Sequence, residues 1–209
     1  MNISDDLIID SLHPYGVTVS PELCSRIRLY IDLLLLWNRQ ISLTTVTKPE
    51  EILRFHFGES VFAANAFRVE RGRLADVGTG AGFPGMPLKL VRPELELLLI
   101  ESNSRKTVFL QEVVRAMSLE QVKVIRSRAK DFTEEDQKFD IVTARAVGRY
   151  DELVPWATRQ LAPDGRMILW LGEADVRVIS ATPGWEWSDP VLIPSSKNRY
   201  LLQGAKKQI

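Results

Sequence analysis

The chain has 209 residues, 45% of them apolar and 26% charged, with a single cysteine; this is an ordinary globular make-up and excludes disorder, collagen-like repeats and a disulfide-stapled scaffold. Basic and acidic residues balance at 27 each, which argues against the strongly cationic surface of a protein that grips nucleic acid regardless of sequence. Cys24 has no partner for a disulfide or a CxxC metal site, so no metal is expected and a reducing compartment fits.

The first thirty residues carry Asp5, Asp6 and Asp10 and lack the basic, apolar and small-residue pattern of a signal peptide. The longest apolar stretch, Leu33 to Trp37, is far short of the ~20 residues a bilayer span needs. A cytosolic protein without a membrane segment is the expectation. Ser20-Pro21-Glu22 is an N-cap followed by proline at the first helical position, and Leu23, Ile27, Tyr30, Ile31, Leu34 and Leu35 recur at helical spacing. Their helix should end near Asn38. Thr47 with Glu50 reads as a capping box, with Pro49 in the first turn of a helix running through Ile52 and His56 until Gly58 interrupts it.

From residue 73 short apolar runs alternate with helical stretches, the pattern of βαβ units on a parallel sheet. Strands are expected at Arg73–Val77, Leu95–Ile100, Val122–Ile125, Phe139–Ala144 and Arg166–Leu171, and helices at Phe83–Val91, Ser104–Met117 and Tyr150–Leu161. Trp185–Leu192 and Arg199–Gly204 read as two further strands without a helix between them, hence antiparallel. Two stretches are basic without an acid: 123–130, with Lys123, Arg126, Arg128 and Lys130, and 190–209, with Lys197, Arg199, Lys206 and Lys207. Each is either a local binding patch or an ordinary solvated surface.

The strongest motif is Asp76-Val77-Gly78-Thr79-Gly80-Ala81-Gly82-Phe83-Pro84-Gly85, placed where the first strand should turn into a helix. Gly78, Gly80 and Gly82 permit positive φ and close approach of a ligand, and Pro84 suits a first helical turn whose free N–H groups would face it. Gly80 to Gly85 also satisfies GxGxxG, with Glu101 downstream, so a nicotinamide-dependent oxidoreductase is one reading. The register favours another, because the apolar run stops at Val77 and an acid, Asp76, stands beside the turn. A carboxylate suits the sulfonium of S-adenosylmethionine better than a pyrophosphate. Glu101, ending the second strand, can accept both ribose hydroxyls of such a nucleoside; otherwise it is an exposed strand-end acid, and Asp76 a turn stabiliser.

No Asn/Asp-Pro-Pro-aromatic loop positions an exocyclic amine, and Cys24 lies far from the ligand edge, which leaves transfer to an atom already nucleophilic. Guanine N7 is such an atom: it has a free lone pair and no proton to lose, so proximity and alignment suffice without a general base. Arginine and lysine donors can meet guanine O6 and backbone phosphates.

These residues resemble the small-subunit 16S ribosomal RNA (guanine-N7) methyltransferase G family, also called glucose-inhibited division protein B. The resemblance covers nearly the whole length and rests on Trp37-Asn38, Leu43-Thr44, Arg54, His56, Ser60, the 76–85 run, Glu101-Ser102, Lys106, Phe109, Leu110, Arg128-Ala129, Arg145-Ala146-Val147 and Arg199. It implies a class I methyltransferase: an α/β, Rossmann-like fold with a mainly parallel seven-stranded sheet (67–209) and a helical N-terminal extension (1–66) packed on it as one structural domain. It implies cofactor contacts from Gly78, Gly80, Gly82, Phe83, Glu101, Ser102, Ala129, Lys130 and Arg145, with S-adenosylhomocysteine as product. Lys106, Arg128 and Arg145 would position the reactants, and Lys106, Arg128, Arg199 and His56 would face RNA. The implied partner is 16S rRNA, in the small ribosomal subunit or an assembly intermediate, and the implied state a monomer. The family pattern has asparagine at Ser42, aspartate at Glu59, glutamate at Lys130 and lysine at Leu171. The last two departures keep a catalytically silent RNA-binding module open as an alternative.

Overall fold

The computed structural model describes residues 3–135 and 137–207. It opens with helix α1 (Asp5–Leu12), capped by the Ser4 hydroxyl, which accepts the Leu7 N–H. Helix α2 (Pro21–Asn38) begins as its signals require, with the Ser20 hydroxyl accepting the Leu23 N–H, and it buries Leu23, Ile27, Tyr30, Ile31 and Leu34 on one side.

The capping box at Thr47 does not form, because Lys48 occupies the cap position without a side-chain bond and Pro49 opens a single turn, α3 (Pro49–Ile52). Gly58 does not interrupt either. Leu53–Gly58 form a π-helical segment that runs directly into α4 (Glu59–Ala66). The glycine is there for packing: a Cβ on it would run into the Tyr15 ring.

Eight strands follow among the described residues: β1 (Gly72–Val77), β2 (Leu95–Glu101), β3 (Val122–Arg126), β4 (Phe139–Arg145), β5 (Leu161–Gly172), β6 (Trp185–Trp187), β7 (Val191–Leu192) and β8 (Arg199–Lys206). Helices α5 (Gly85–Val91), α6 (Ser104–Ala116) and α7 (Tyr150–Gln160) are the crossovers, and α8 (Glu173–Ser180), unforeseen from spacing, follows β5. The order is β3-β2-β1-β4-β5-β8-β6, with β1 to β5 parallel and β8 antiparallel to its neighbours. The expected strand Trp185–Leu192 is two, both paired with β8. Pro190, which has no N–H to give the ladder, lies in the break, while Ser188 N–H still bonds Gln203.

Strand alternation divides the core. Leu97 and Leu99 of β2 join one apolar cluster and Leu98 and Ile100 the other, so both faces of the sheet are covered. The first cluster includes α2, the π segment and α6, which places the N-terminal helices on the same face as α5 and α6. None of the helices is long and apolar enough, among the described residues, to cross a membrane. Because β1 pairs with β2 on one side and β4 on the other, strand order reverses there, and the crevice beyond the carboxyl ends of β1 and β4 is the natural ligand edge.

Tyr30 ties the N-terminal helices to that edge. It is fully buried, its hydroxyl donates to the Ala81 carbonyl at 2.5 Å, and its ring stacks on Phe83 at 5.5 Å. Tyr30→Phe leaves a buried carbonyl unpaired and should cost about 1–2 kcal/mol in urea denaturation; an unchanged midpoint would show that this bond contributes nothing.

Candidate active site

The turn after β1 is organised from below by Asp76. This carboxylate is completely buried and accepts three bonds: Oδ2 from the Thr79 hydroxyl (2.5 Å) and the Gly85 N–H (2.9 Å), and Oδ1 from the Thr143 hydroxyl (2.9 Å). Burial pushes its pKa up to about 6, against the pull of those three donors. Asp76 therefore faces the interior and holds the turn. The expected helix N-terminus open to a ligand is also corrected, because α5 starts at Gly85, after Pro84, and its leading N–H is spent on Asp76.

The three glycines of the motif divide in role. Gly78 (φ +66°) is exposed and Gly80 (φ +61°) half-buried; a Cβ on either would meet no protein atom closer than 3.4 Å. Gly82 (φ +91°) is buried, and the room a Cβ would need is taken by the Tyr30 hydroxyl and the side chains of Met86 and Leu110. Close approach at Gly82 thus serves packing within the protein. Phe83 is also mostly buried, its ring between those of His56 (4.7 Å) and Tyr30 (5.5 Å).

Glu101 closes the carboxyl end of β2 and is wired to the turn: Oε2 accepts the Gly80 N–H at 3.0 Å, and Oε1 accepts the Asn103 N–H at 2.7 Å. Each oxygen keeps a further lone pair for a hydroxyl. Beside Gly78 lies a cavity of about 240 Å³ lined by Val77, Ile100, Ser102, Arg128, Ala129 and Val147 among others. Its walls are mainly aliphatic with a polar rim, which suits a flat heterocycle joined to a sugar. Lys130 stands in the short turn after Arg128, with its amino group 3.8 Å from Glu152 on α7. Lys106 sits half-buried in the first turn of α6, whose cap, Asn103, accepts the Arg105 and Lys106 N–H groups.

A second cluster gathers Arg145, Arg199 and His56. Arg145 ends β4, Arg199 begins β8, and both guanidinium groups reach Glu59 of α4: Arg145 Nη2 lies 3.3 Å from Oε2 and Arg199 Nη2 2.5 Å from Oε1. Glu59 is only 1% exposed. Trp170 of β5 fixes its backbone by donating to its carbonyl at 2.7 Å, and Arg199 lies 5.0 Å over the Phe55 ring. In sequence Glu59 stands out only as a departure from the family pattern, which has aspartate there. Nothing local in the sequence identifies Thr79, Thr143 and Tyr30 as site-shaping groups, apart from the placing of a threonine, Thr143, inside the apolar run Phe139–Ala144.

His56 bonds Thr44 Oγ1 through Nε2 at 2.7 Å. Burial, reinforced by the positive charge of Arg145, pushes its pKa down to about 4, with only a backbone bond near Phe55 acting the other way. An unfolded imidazole takes up its proton near pH 6.5 and the folded one near 4, so between those values acid favours the unfolded chain. Stability from this group is complete above about pH 6.5 and is lost as pH falls toward 4. The wild-type advantage over His56→Gln in urea midpoint should therefore shrink from pH 7 to pH 4.5; a constant difference would mean that the ring is not held neutral.

Comparison with known proteins agrees with this architecture. The family model for rRNA small subunit methyltransferase G matches residues 23–183. Ribosomal RNA small subunit methyltransferase G of Desulfitobacterium hafniense is 38% identical over 153 residues, a match spanning 72% of this chain and 63% of that protein. The protein of the same name from Chloroflexus aggregans is 30% identical over 95% of this chain and 88% of its own. Among solved structures, a SAM-dependent methyltransferase from Aquifex aeolicus superposes with a TM-score of 0.62 at 17% identity, covering 75% of this chain and 93% of that one. A ribosomal protein L11 methylase from Lactobacillus delbrueckii gives 0.61 at 17% identity over 74% and 80%. The chain thus has the class I S-adenosylmethionine-dependent methyltransferase fold and belongs to the rRNA small subunit methyltransferase G family.

Proposed function

We propose that the chain transfers a methyl group from S-adenosylmethionine to N7 of a guanine in 16S rRNA, acting in the cytoplasm as a monomer on free rRNA or an assembling small subunit. The observation that carries the reading is the Glu101 carboxylate bonded to the Gly80 N–H at the carboxyl edge of β1 and β2, in a chain of this family. Gly78 and Gly80 give backbone access, Glu101 takes the ribose hydroxyls, and Ser102, Arg128 and Ala129 border the base. Phe83 and Gly82 act from beneath, keeping the turn in shape. In this reading Arg145, Arg199, Lys106 and Arg128 form the RNA side, and His56 supports Phe83 as a neutral ring.

When bound, S-adenosylmethionine supplies an electrophilic methyl on a cationic sulfur, the positive charge passing to the base as the methyl leaves. The chain's own contribution is placement, because guanine N7 brings its lone pair without a proton for any side chain to remove. Val77, Ile100 and Val147 give the cavity beside Gly78 an aliphatic lining for the flat face of the donor's base.

The dinucleotide alternative meets a physical obstacle at Asp76. A pyrophosphate in the GxGxxG register needs the helix N-terminus that this buried acid already occupies. Purified protein incubated with labelled donor and small-subunit RNA should yield 7-methylguanosine, and label confined to another base or to protein would overturn the proposal. Glu101→Gln should weaken S-adenosylhomocysteine binding in calorimetry by about tenfold or more, the worth of a hydrogen bond to a charged acceptor; unaltered affinity would remove Glu101 from the donor site.

A further inference from the structure

Five buried side-chain polar atoms lack a hydrogen-bond partner among the described residues: His56 Nδ1, Glu59 Oε2, Arg145 Nη1, Trp187 Nε1 and Arg199 Nε. Such atoms are uncommon in folded proteins and call for a cause. Three of the five belong to residues that line one cavity of about 300 Å³, together with Tyr150, Trp170 and Asp175. The segment joining β4 to α7 borders both this cavity and the one beside Gly78: Arg145, Ala146 and Tyr150 line one, Val147 and Arg149 the other. Ala146 holds φ +54°, a conformation that costs a non-glycine residue energy and marks functional loops.

The charges of this cavity cancel, with Arg145 and Arg199 opposed by Glu59 and Asp175, so an anion such as phosphate gains little there. What it offers is a buried acceptor, Glu59 Oε2, beside a buried donor, Arg145 Nη1, both rigidly held by ion pairs. The usual arginine contact to guanine is bidentate on O6 and N7 and would occupy the atom that must react. Recognition compatible with N7 chemistry has to use the opposite edge, whose N1–H and 2-amino groups need an acceptor.

We infer that this second cavity receives the acceptor guanine by its Watson–Crick edge, with Glu59 Oε2 accepting from N1–H and the 2-amino group and Arg145 Nη1 donating to O6, leaving N7 free. The inference rests on the reading of the chain as a guanine-N7 methyltransferase. It makes Glu59, contributed by the N-terminal helices, a specificity-determining residue. Adenine, with a lone pair at N1, would set that lone pair against the carboxylate and be refused.

The test compares guanine with inosine, which lacks only the 2-amino group, at the position found to be methylated in small-subunit RNA. Wild-type kcat/KM should fall by about tenfold or more on inosine, as expected for a lost hydrogen bond to a charged acceptor. Glu59→Gln should slow guanine methylation by a similar factor while reducing the inosine penalty to less than about twofold, with S-adenosylhomocysteine affinity unchanged. An equal penalty in both enzymes, or none in the wild type, overturns the assignment of Glu59. The wild-type arm decides even where Glu59→Gln fails to fold. Absence of 7-methylguanosine from the wild type on guanine RNA would instead overturn the reading of the reaction itself.

Discussion

The buried carboxylate of Asp76 underlies the glycine turn of this protein. Asp76 sits at the carboxyl end of β1 with no exposure, and burying an ion there is costly unless donors surround it. The Thr79 hydroxyl, the Gly85 N–H and the Thr143 hydroxyl meet that need, and each comes from a different piece: the turn, the first crossover helix and the neighbouring strand. One acid thereby locks three elements around the point where the order of the sheet reverses. The turn above is preorganised, with Gly78 and Gly80 in positive φ and the Gly80 N–H directed at Glu101. The same interaction spends the helix N-terminus, so the turn resembles a dinucleotide fingerprint in sequence while lacking its anion site.

The N-terminal helices act as part of the site's construction. Tyr30 of α2 fills the space left by the missing side chain at Gly82 and stacks on Phe83, which stacks in turn on His56. The π-helical segment carries Phe55 and His56 and delivers Glu59 at its end, consistent with the frequent placement of such segments at functional sites. Glu59 then joins Arg145 and Arg199, so elements from both ends of the chain meet at one carboxylate. Removing these helices would expose the apolar face of α5 and α6 and also dismantle the Glu59, Arg145 and Arg199 cluster.

Much of this was legible before folding. Alternating apolar runs located β1 to β5 and their crossover helices to within a few residues at most ends, because both faces of a parallel strand are buried and each helix repeats its own period. The glycine turn and Glu101 were also visible, their spacing being that of one βα unit. Other signals were ambiguous because one residue type serves several ends. Gly58 reads as a helix breaker yet makes room for Tyr15, and Gly82 reads as ligand access yet makes room for Tyr30. Thr47 carries a capping pattern, but Lys48 occupies the cap.

The amino-acid order by itself determined the class of fold, the location of the glycine turn and the family, since these follow from local periodicity and from short motifs whose residues are neighbours along one βα unit. Tertiary structure alone decided which way each polar group faces and what it meets. Alternation places Asp76 on one side of a strand without saying that the side is closed, and nothing local couples Glu59 to Arg145 and Arg199. Those encounters depend on which helix covers which face, a result of packing the whole apolar core at once.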